Sequence, residues 1–246
     1  MRFLEGPRPR ILAHRGLATE APENTLAAFR AADAVGATHV ESDVRVSADG
    51  VAVLHHDASL ERVAGSSVRV EDATFAELQA IDLGGGHGVP ALADALEALP
   101  HVRWNLDLKV PTAVAPAVRA IREADAVRRV LVTSFDERTR AEAVAALPGV
   151  ATSASRAIMV RALAAVRLGL RGTTSRALER VDAVQVPERA GRIRIVDERS
   201  VAAFHAAGVE VHVWTVDEPA AMRRLVALGV DGIVTDRADV AMATLR

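Results

Sequence analysis

The 246-residue chain contains no cysteine, which removes disulfide frameworks, thiolate metal sites and cysteine nucleophiles from consideration. That absence agrees with a reducing cytoplasm, the compartment expected. Aromatic residues make up only 3%, too few for stacking platforms that hold bases or sugars. Excess positive charge is missing as well. A net charge of −2 and a pI near 6.5 provide no basic stripe for a phosphate backbone, so no nucleic-acid partner is expected. Long apolar runs are also absent. The most apolar stretch, "AIMVRALAAVRLGL" at 157–170, is interrupted by Arg161 and Arg167, well short of the roughly 20 residues that span a bilayer. Residues 1–10 carry Arg2, Glu5, Arg8 and Arg10 without an apolar core, so neither a secretory signal nor stable membrane insertion is expected.

What is present is ordinary globular composition, 50% hydrophobic and 25% charged, in a length that suits one domain over residues 1–246. Short β-branched runs alternate with Ala/Leu-rich helical runs from end to end, the pattern of a parallel sheet with crossover helices. Eight strands are predicted, at Arg10–Ala13, His39–Asp43, Trp104–Leu108, Val130–Thr133, Val150–Ser153, Ala183–Val186, Val209–Trp214 and Gly232–Thr235. Between them, Leu26, Phe29 and Ala32 recur at helical spacing before Gly36, and Val201 and Phe204 do so before Gly208. Asp217 is the expected cap of a helix with Pro219 in its first turn, an apolar stripe of Met222, Leu225 and Val226, and Gly229 at its end. Eight such units point to an α/β fold, the (β/α)8 TIM barrel. A doubly wound open sheet is the rival, but no GxGxxG follows the first strand. One interval, about 51–90, is longer than a crossover needs. It reads as a loop-rich insertion with a hairpin-like strand at Val51–Leu54, a helix opened by a Thr74-x-x-Glu77 capping box, a loose "LGGGHG" at 83–88 and a further helix after Pro90.

In such barrels the active site lies at the C-terminal ends of the strands. His14 follows the first strand there. Along "HVESDV", strand alternation turns Glu41 and Asp43 to one face and Ser42 to the other; along "WNLDLKV" it gathers Asn105, Asp107 and Lys109 on one face. Three carboxylates and a lysine thus converge on one end. Like charges a few ångströms apart repel by roughly 4 kcal/mol at an effective dielectric of about 20, so a cation is expected among them. With oxygen ligands and no cysteine, one divalent ion, Mg²⁺ or Ca²⁺, is favoured over zinc.

Taken in order, "AHRG", "PENT", "ESDVR", "DG…HHD", "NLDLK", "WTV" and "GVDGIVTD" resemble the glycerophosphodiester phosphodiesterase family from about residue 10 to 240. The resemblance implies a TIM-type barrel that hydrolyses glycerophosphodiesters, small-molecule substrates, with a divalent metal and two histidines. It places the histidines at His14 and His56 and the metal carboxylates at Glu41, Asp43 and Asp107. At the third carboxylate the family often has Glu, and Asp107 is one methylene shorter. His55 competes with His56, but the two face opposite ways and the family's "HD" pattern selects His56. Arg15 and Lys109 are then expected to take up substrate charge, with His14 and His56 as proton carriers. Trp214 is expected to line the pocket mouth. Glu23 and Asn24 read as a helix start, Asp236 as a site-facing end or a helix cap, and Ser134-Phe135 as another site-facing end. His39, His87, His101, His205 and His212 read as surface or core residues without converging partners. Rival readings are phospholipase D-like hydrolysis of lysophospholipids, which predicts an apolar patch near residues 83–88 where no run of large apolar residues stands, and a non-catalytic barrel that binds a phosphoester.

Overall fold

The computed structural model describes residues 2–246; Met1, at the head of the segment read as lacking a signal, lies outside them. The strands are β1 (Arg10–His14), β2 (His39–Val46), β3 (Ala52–Leu54), β4 (Arg103–Leu108), β5 (Val130–Thr133), β6 (Ala151–Thr152), β7 (Ala183–Pro187), β8 (Arg189–Ala190), β9 (Ile193–Arg194), β10 (Glu210–Trp214) and β11 (Gly232–Thr235). Eight of them run parallel in the order β6-β5-β4-β2-β1-β11-β10-β7. The ends of that order are joined by a single bridge, Ser153 to Ala183, and by hydrogen bonds from Asp182 N to Thr152 O (2.8 Å) and Ala154 N to Ala183 O (2.9 Å). The result is a nearly closed eight-stranded barrel. The fifth predicted strand, Val150–Ser153, is reduced to two residues because this seam is where the barrel closes least regularly.

Helices α1 (Leu26–Ala34), α2 (Glu61–Ala64), α3 (Phe75–Ala80), α4 (Leu92–Ala98), α5 (Val114–Glu123), α6 (Glu137–Ala146), α7 (Arg156–Leu168), α8 (Arg171–Leu178), α9 (Glu198–Ala206), α10 (Pro219–Ala227) and α11 (Ala238–Leu245) complete the chain. The helices that follow the barrel strands cover its outer face. Odd positions of β1, Ile11 and Ala13, belong to the large apolar cluster shared with Phe29, Leu96, Phe204 and Leu225, whereas Leu12 packs inside with Phe3, Leu131 and Val234. Phe29 of α1 meets the buried Trp104 edge-on at 5.0 Å, a geometry that aromatic quadrupoles favour. The predicted insertion forms its own small core of Val53, Leu60, Val70, Leu78 and Val89. There β3 pairs antiparallel with the extension of β2, and the Thr74–Glu77 capping box has both its arms. Asp217 does not cap α10. Glu218 occupies that place, and Asp217 instead accepts hydrogen bonds from Thr235 Oγ1 (2.8 Å) and Asp236 N (2.9 Å), bracing the end of β11.

The lower end of the barrel is closed by the N-terminal segment. Phe3 is buried, its carbonyl bonds His39 Nε2 at 3.0 Å, and Arg10, only 1% exposed, pairs with Glu210 at 2.8 Å. Arg8 adds a second cation to Glu210 (2.7 Å) and one to Asp231 (3.0 Å). These pairs correct the reading of the remaining histidines as partnerless: His212 bonds Glu210 at 3.1 Å, His205 bonds Asp231 at 2.7 Å, and His101 bonds Asp33 at 2.9 Å. Gly232 makes room for His212, since a Cβ there would stand 2.6 Å from its ring. Removing Glu210 would leave Arg10 a buried, uncompensated charge. Glu210→Ala is therefore expected to cost about 3–5 kcal/mol of folding free energy, read from the midpoint of urea unfolding.

Candidate active site

The upper end is built from one tight turn and two adjacent strands. After β1 the chain reverses through Arg15 (φ 57°) and Gly16 (φ 85°). Gly16 is required on two counts, its left-handed backbone and a Cβ position only 2.7 Å from the Ala28 carbonyl carbon. The turn is fastened by Arg15 N to Glu41 O at 2.9 Å. Register does the rest. His14 is the cross-strand partner of Glu41, Glu41 of Asn105, and Asp43 of Asp107, so side chains far apart in sequence share one patch.

Within that patch buried Asp43 pairs with Lys109 Nζ at 2.7 Å and accepts from Asn24 Nδ2 at 3.2 Å, while Arg15 Nε stands 3.2 Å away as an ion pair without hydrogen-bond geometry. Lys109 also holds Asp107 at 2.6 Å. Burial opposes ionisation of Asp43, but Lys109 and Arg15 outweigh it and hold its carboxyl below the usual range. Glu41 has no such cation. Burial and the like charge of Asp43 push its carboxyl well up, and burial pushes Asp107 up despite Lys109. Lys109 itself is raised, because the two aspartates more than offset its burial.

Glu41, Asp43 and Asp107, the carboxylates expected around a cation, share this patch. Among the described residues no three Asp, Glu or His side chains stand together at ligating distance; the Lys109 ammonium bridges Asp43 and Asp107 instead. The donor set nevertheless fits a hard divalent ion. All its ligand atoms are oxygens, and Asp107 Oδ1 is buried with no hydrogen-bond partner, as is the neighbouring Asn105 Oδ1.

His14 touches the cluster directly, and His56 is tied to it through a chain of ion pairs. His14 Nε2 lies 3.8 Å from Glu41, and its Nδ1 is 2.6 Å from Asp236 Oδ1. Burial disfavours the imidazolium, yet the Asp236 bond and the field of Glu41 prevail and raise its pKa. His56 follows β3, with Nδ1 2.7 Å from Asp57. His55 is buried and bonds the Ser59 carbonyl at 3.1 Å, so the pair faces two ways as expected. Trp214, at the end of β10, meets the exposed Phe135 edge-on at 6.4 Å, while Ser134 turns inward to the Leu108 carbonyl at 2.8 Å.

Several residues carry more than the sequence reading assigned them. Glu23 and Asn24 do not cap α1, a task Thr25 performs. Asn24 orients Asp43 and accepts from Ser42 at 2.6 Å, and Glu23 bonds Arg15 at 2.9 Å. Arg62, from α2 in the insertion, grips both Glu23 oxygens at 2.6 and 3.0 Å and reaches Asp57 at 2.6 Å. An unbroken chain therefore runs Asp43, Arg15, Glu23, Arg62, Asp57, His56. Asp236 is no helix cap either, since Arg237 precedes α11. Asp57, Asp236, Glu23 and Asn24 all sit inside the quoted motifs, the one signal by which they could have been found; Arg62 had none.

With this geometry in view, three likenesses bear on the chain. The model of the Glycerophosphoryl diester phosphodiesterase family matches residues 14–240. Over 231 residues, 93% of this chain and 88% of the relative, the sequence is 41% identical to the protein named probable glycerophosphodiester phosphodiesterase 2 of Mycobacterium tuberculosis. The crystal structure of glycerophosphodiester phosphodiesterase from Agrobacterium tumefaciens superposes with a TM-score of 0.77 at 29% identity, covering 96% of this chain and 98% of that one.

Against burial, Asp236 is the group that does most to raise the His14 pKa. In Asp236→Asn the carboxylate that favours imidazolium is gone while burial remains, so the His14 pKa should fall below its wild-type value. Imidazole proton shifts followed against pH by NMR measure it; an unchanged titration would show that the 2.6 Å contact does not govern this group.

Proposed function

We propose that this chain, which belongs to the glycerophosphoryl diester phosphodiesterase family, hydrolyses glycerophosphodiesters to glycerol 3-phosphate and an alcohol. The reaction demands neutralisation of phosphoryl oxygens, a nucleophile relieved of its proton, and a proton for the departing alkoxide. Arg15 and Lys109, at the rim of the carboxylate cluster, are the groups that take up phosphoryl charge. Glu41, Asp43 and Asp107 would hold one divalent cation, Mg²⁺ or Ca²⁺; the unpartnered Asp107 Oδ1 and the raised Glu41 carboxyl support this, since both would gain from a positive neighbour. When bound, such an ion supplies Lewis-acid charge to the phosphodiester.

His14 and His56 are the proton carriers. His14, whose cationic form Asp236 and Glu41 favour, suits the acid that protonates the leaving alkoxide oxygen. His56, oriented by Asp57, then accepts the proton of the attacking water. The water oxygen bonds phosphorus as the ester oxygen leaves, and the proton count balances once His14 and His56 exchange with solvent. Trp214 and Phe135 form one wall of the mouth. The observation that carries this reading is one buried cluster of carboxylates and cations that His14 meets at Glu41 (3.8 Å) and to which His56 is tied through Asp57, Arg62, Glu23 and Arg15.

Incubation with glycerophosphocholine and with lysophosphatidylcholine, each with and without EDTA, tests it by product analysis. The expected outcome is glycerol 3-phosphate from the first, abolished by EDTA and restored by Mg²⁺ or Ca²⁺. Preference for the lysolipid would move the assignment to the phospholipase D-like alternative, and EDTA-insensitive turnover would remove the metal. His14→Ala and His56→Ala should each lower kcat by about 100- to 10,000-fold. Activity kept in His56→Ala but lost in His55→Ala would reverse the choice between the two. Arg62→Ala should lower kcat with little change in KM, because Arg62 holds Asp57, which orients His56; Arg62→Lys, which keeps one contact of the fork, should recover part of the loss.

A further inference from the structure

The stretch from α7 to β9 combines two concentrations that neither the fold nor the proposed chemistry uses. Residues 156–194 hold nine arginines against three acidic side chains, a net of +6 in a chain whose net charge is −2. All nine arginines are exposed. Two of the three acids are already engaged, Glu188 with Arg224 at 2.7 Å and Asp182 with Thr152 N at 2.9 Å. Among the described residues only one of the nine arginines, Arg167, has an ion-pair partner, Asp197 at 2.9 Å. The same stretch carries exposed apolar side chains, Leu168 (73% exposed), Val160 (62%), Ile193 (61%) and Leu170 (48%). Of the other large apolar side chains that are exposed, Phe135 stands against Trp214 at the mouth and only Val68 belongs to a different region.

The fold brings part of this stretch, the end of α7 and the β8–β9 hairpin, to the rim, whereas α8 carries Arg176 and Arg180 away toward the start of β7. The end of α7 is tied to the β8–β9 hairpin by Arg167, which donates to the Arg194 carbonyl and pairs with Asp197, and Arg199 donates back to the Arg167 carbonyl at 3.2 Å. Leu168, next to Arg167, and Ile193, next to Arg194, are thereby fastened to one edge. That edge adjoins the site, because the hairpin begins two residues after Pro187, the cross-strand partner of Trp214.

We propose that this edge is a docking surface for an anionic lipid bilayer, which it meets with the barrel mouth at the membrane plane. A collar of arginines around a few protruding aliphatic side chains is the composition that binds lipid headgroups while inserting shallowly into the acyl boundary. The chemistry disfavours single-stranded nucleic acid, since Leu, Val and Ile do not stack on bases. An acidic protein surface or a second copy would satisfy the charge but would leave the protruding aliphatic tips without a purpose. No helix of the described residues is long and apolar enough to cross a membrane, so the contact is peripheral and reversible. The apolar patch expected of a lipid-facing enzyme thus lies at 168–170 and 193 rather than near 83–88.

Sedimentation with vesicles tests the proposal, using the full chain and comparing phosphatidylcholine alone with an equimolar mixture of phosphatidylcholine and phosphatidylglycerol. The protein is expected to partition onto the anionic vesicles, weakly or not at all onto neutral ones, and to be released by salt. Each arginine at an anionic leaflet strengthens binding by about fivefold, so replacing Arg189, Arg192 and Arg194 together by Ser should weaken it by about 100-fold. Leu168→Ser combined with Ile193→Ser should weaken it with the charge intact. All five positions are exposed and outside the proposed catalytic machinery, so hydrolysis of a soluble glycerophosphodiester should be unchanged and serves as the folding control. Absence of binding to anionic vesicles, equal binding to neutral ones, or variants that bind like wild type would overturn the proposal. Concentration-dependent self-association that the same variants abolish, without vesicle binding, would overturn it in favour of a second copy. Protein inactive on every glycerophosphodiester that still bound vesicles would count against the proposed hydrolysis alone.

Discussion

Burial of three carboxylates on two adjacent strands is the constraint around which the upper half of the barrel is organised. Parallel register sets Asp43 beside Asp107, and the two-residue repeat of a strand sets Glu41 on the same face. Charges of one sign at that spacing are costly unless the surroundings answer them. Arg15 and Lys109 answer for Asp43, and the carboxyl is held low; Glu41, with no cation of its own, is pushed high. Similar acids thus acquire different proton affinities from their surroundings, the condition under which one cluster can bind a cation and still influence a neighbouring histidine.

The second theme is orientation. Asp236 holds one imidazole nitrogen of His14, and Asp57 does the same for His56, so each ring is fixed in one orientation with its other nitrogen left outside that contact. Exposed ion pairs contribute little to stability taken singly. Their value here is geometric, for the chain from Asp43 to His56 passes through Arg62 and locks the small core of the insertion to the first barrel loop. The insertion is therefore part of the site's scaffold, although its apolar cluster is separate from that of the barrel.

At the opposite end, a second polar network closes the barrel around Arg10, Glu210 and His212. It lies at the N-terminal ends of the strands, the end that serves stability in such folds. Burial pushes the neighbouring His39 down to about 3, leaving it neutral. The contrast with His14 is instructive: both rings are largely shielded from water, but only His14 has a carboxylate on its nitrogen, so the two move in opposite directions.

Much of the architecture was legible in sequence because it is periodic. Strand and helix repeats located all eight barrel strands, overestimating only the length of the seam strand Ala151–Thr152, and alternation alone put Glu41, Asp43, Asp107 and Lys109 on one face. Motif order supplied His14, His56, Arg15 and Trp214. What sequence could not decide was pairing between distant loops. The partnership of Asp236 with His14 spans the closure of the barrel, Asp217 braces β11 instead of capping α10, and Arg62 finds Glu23 across the mouth of the site. The charge at residues 156–194 was visible as single arginines, yet only the tie between the end of α7 and the β8–β9 hairpin sets part of it on one edge beside the mouth. Local residue order dictates hydrogen-bonding patterns and faces, whose period is a few residues; which face meets which loop depends on the closed geometry of the whole barrel, and no local period encodes that.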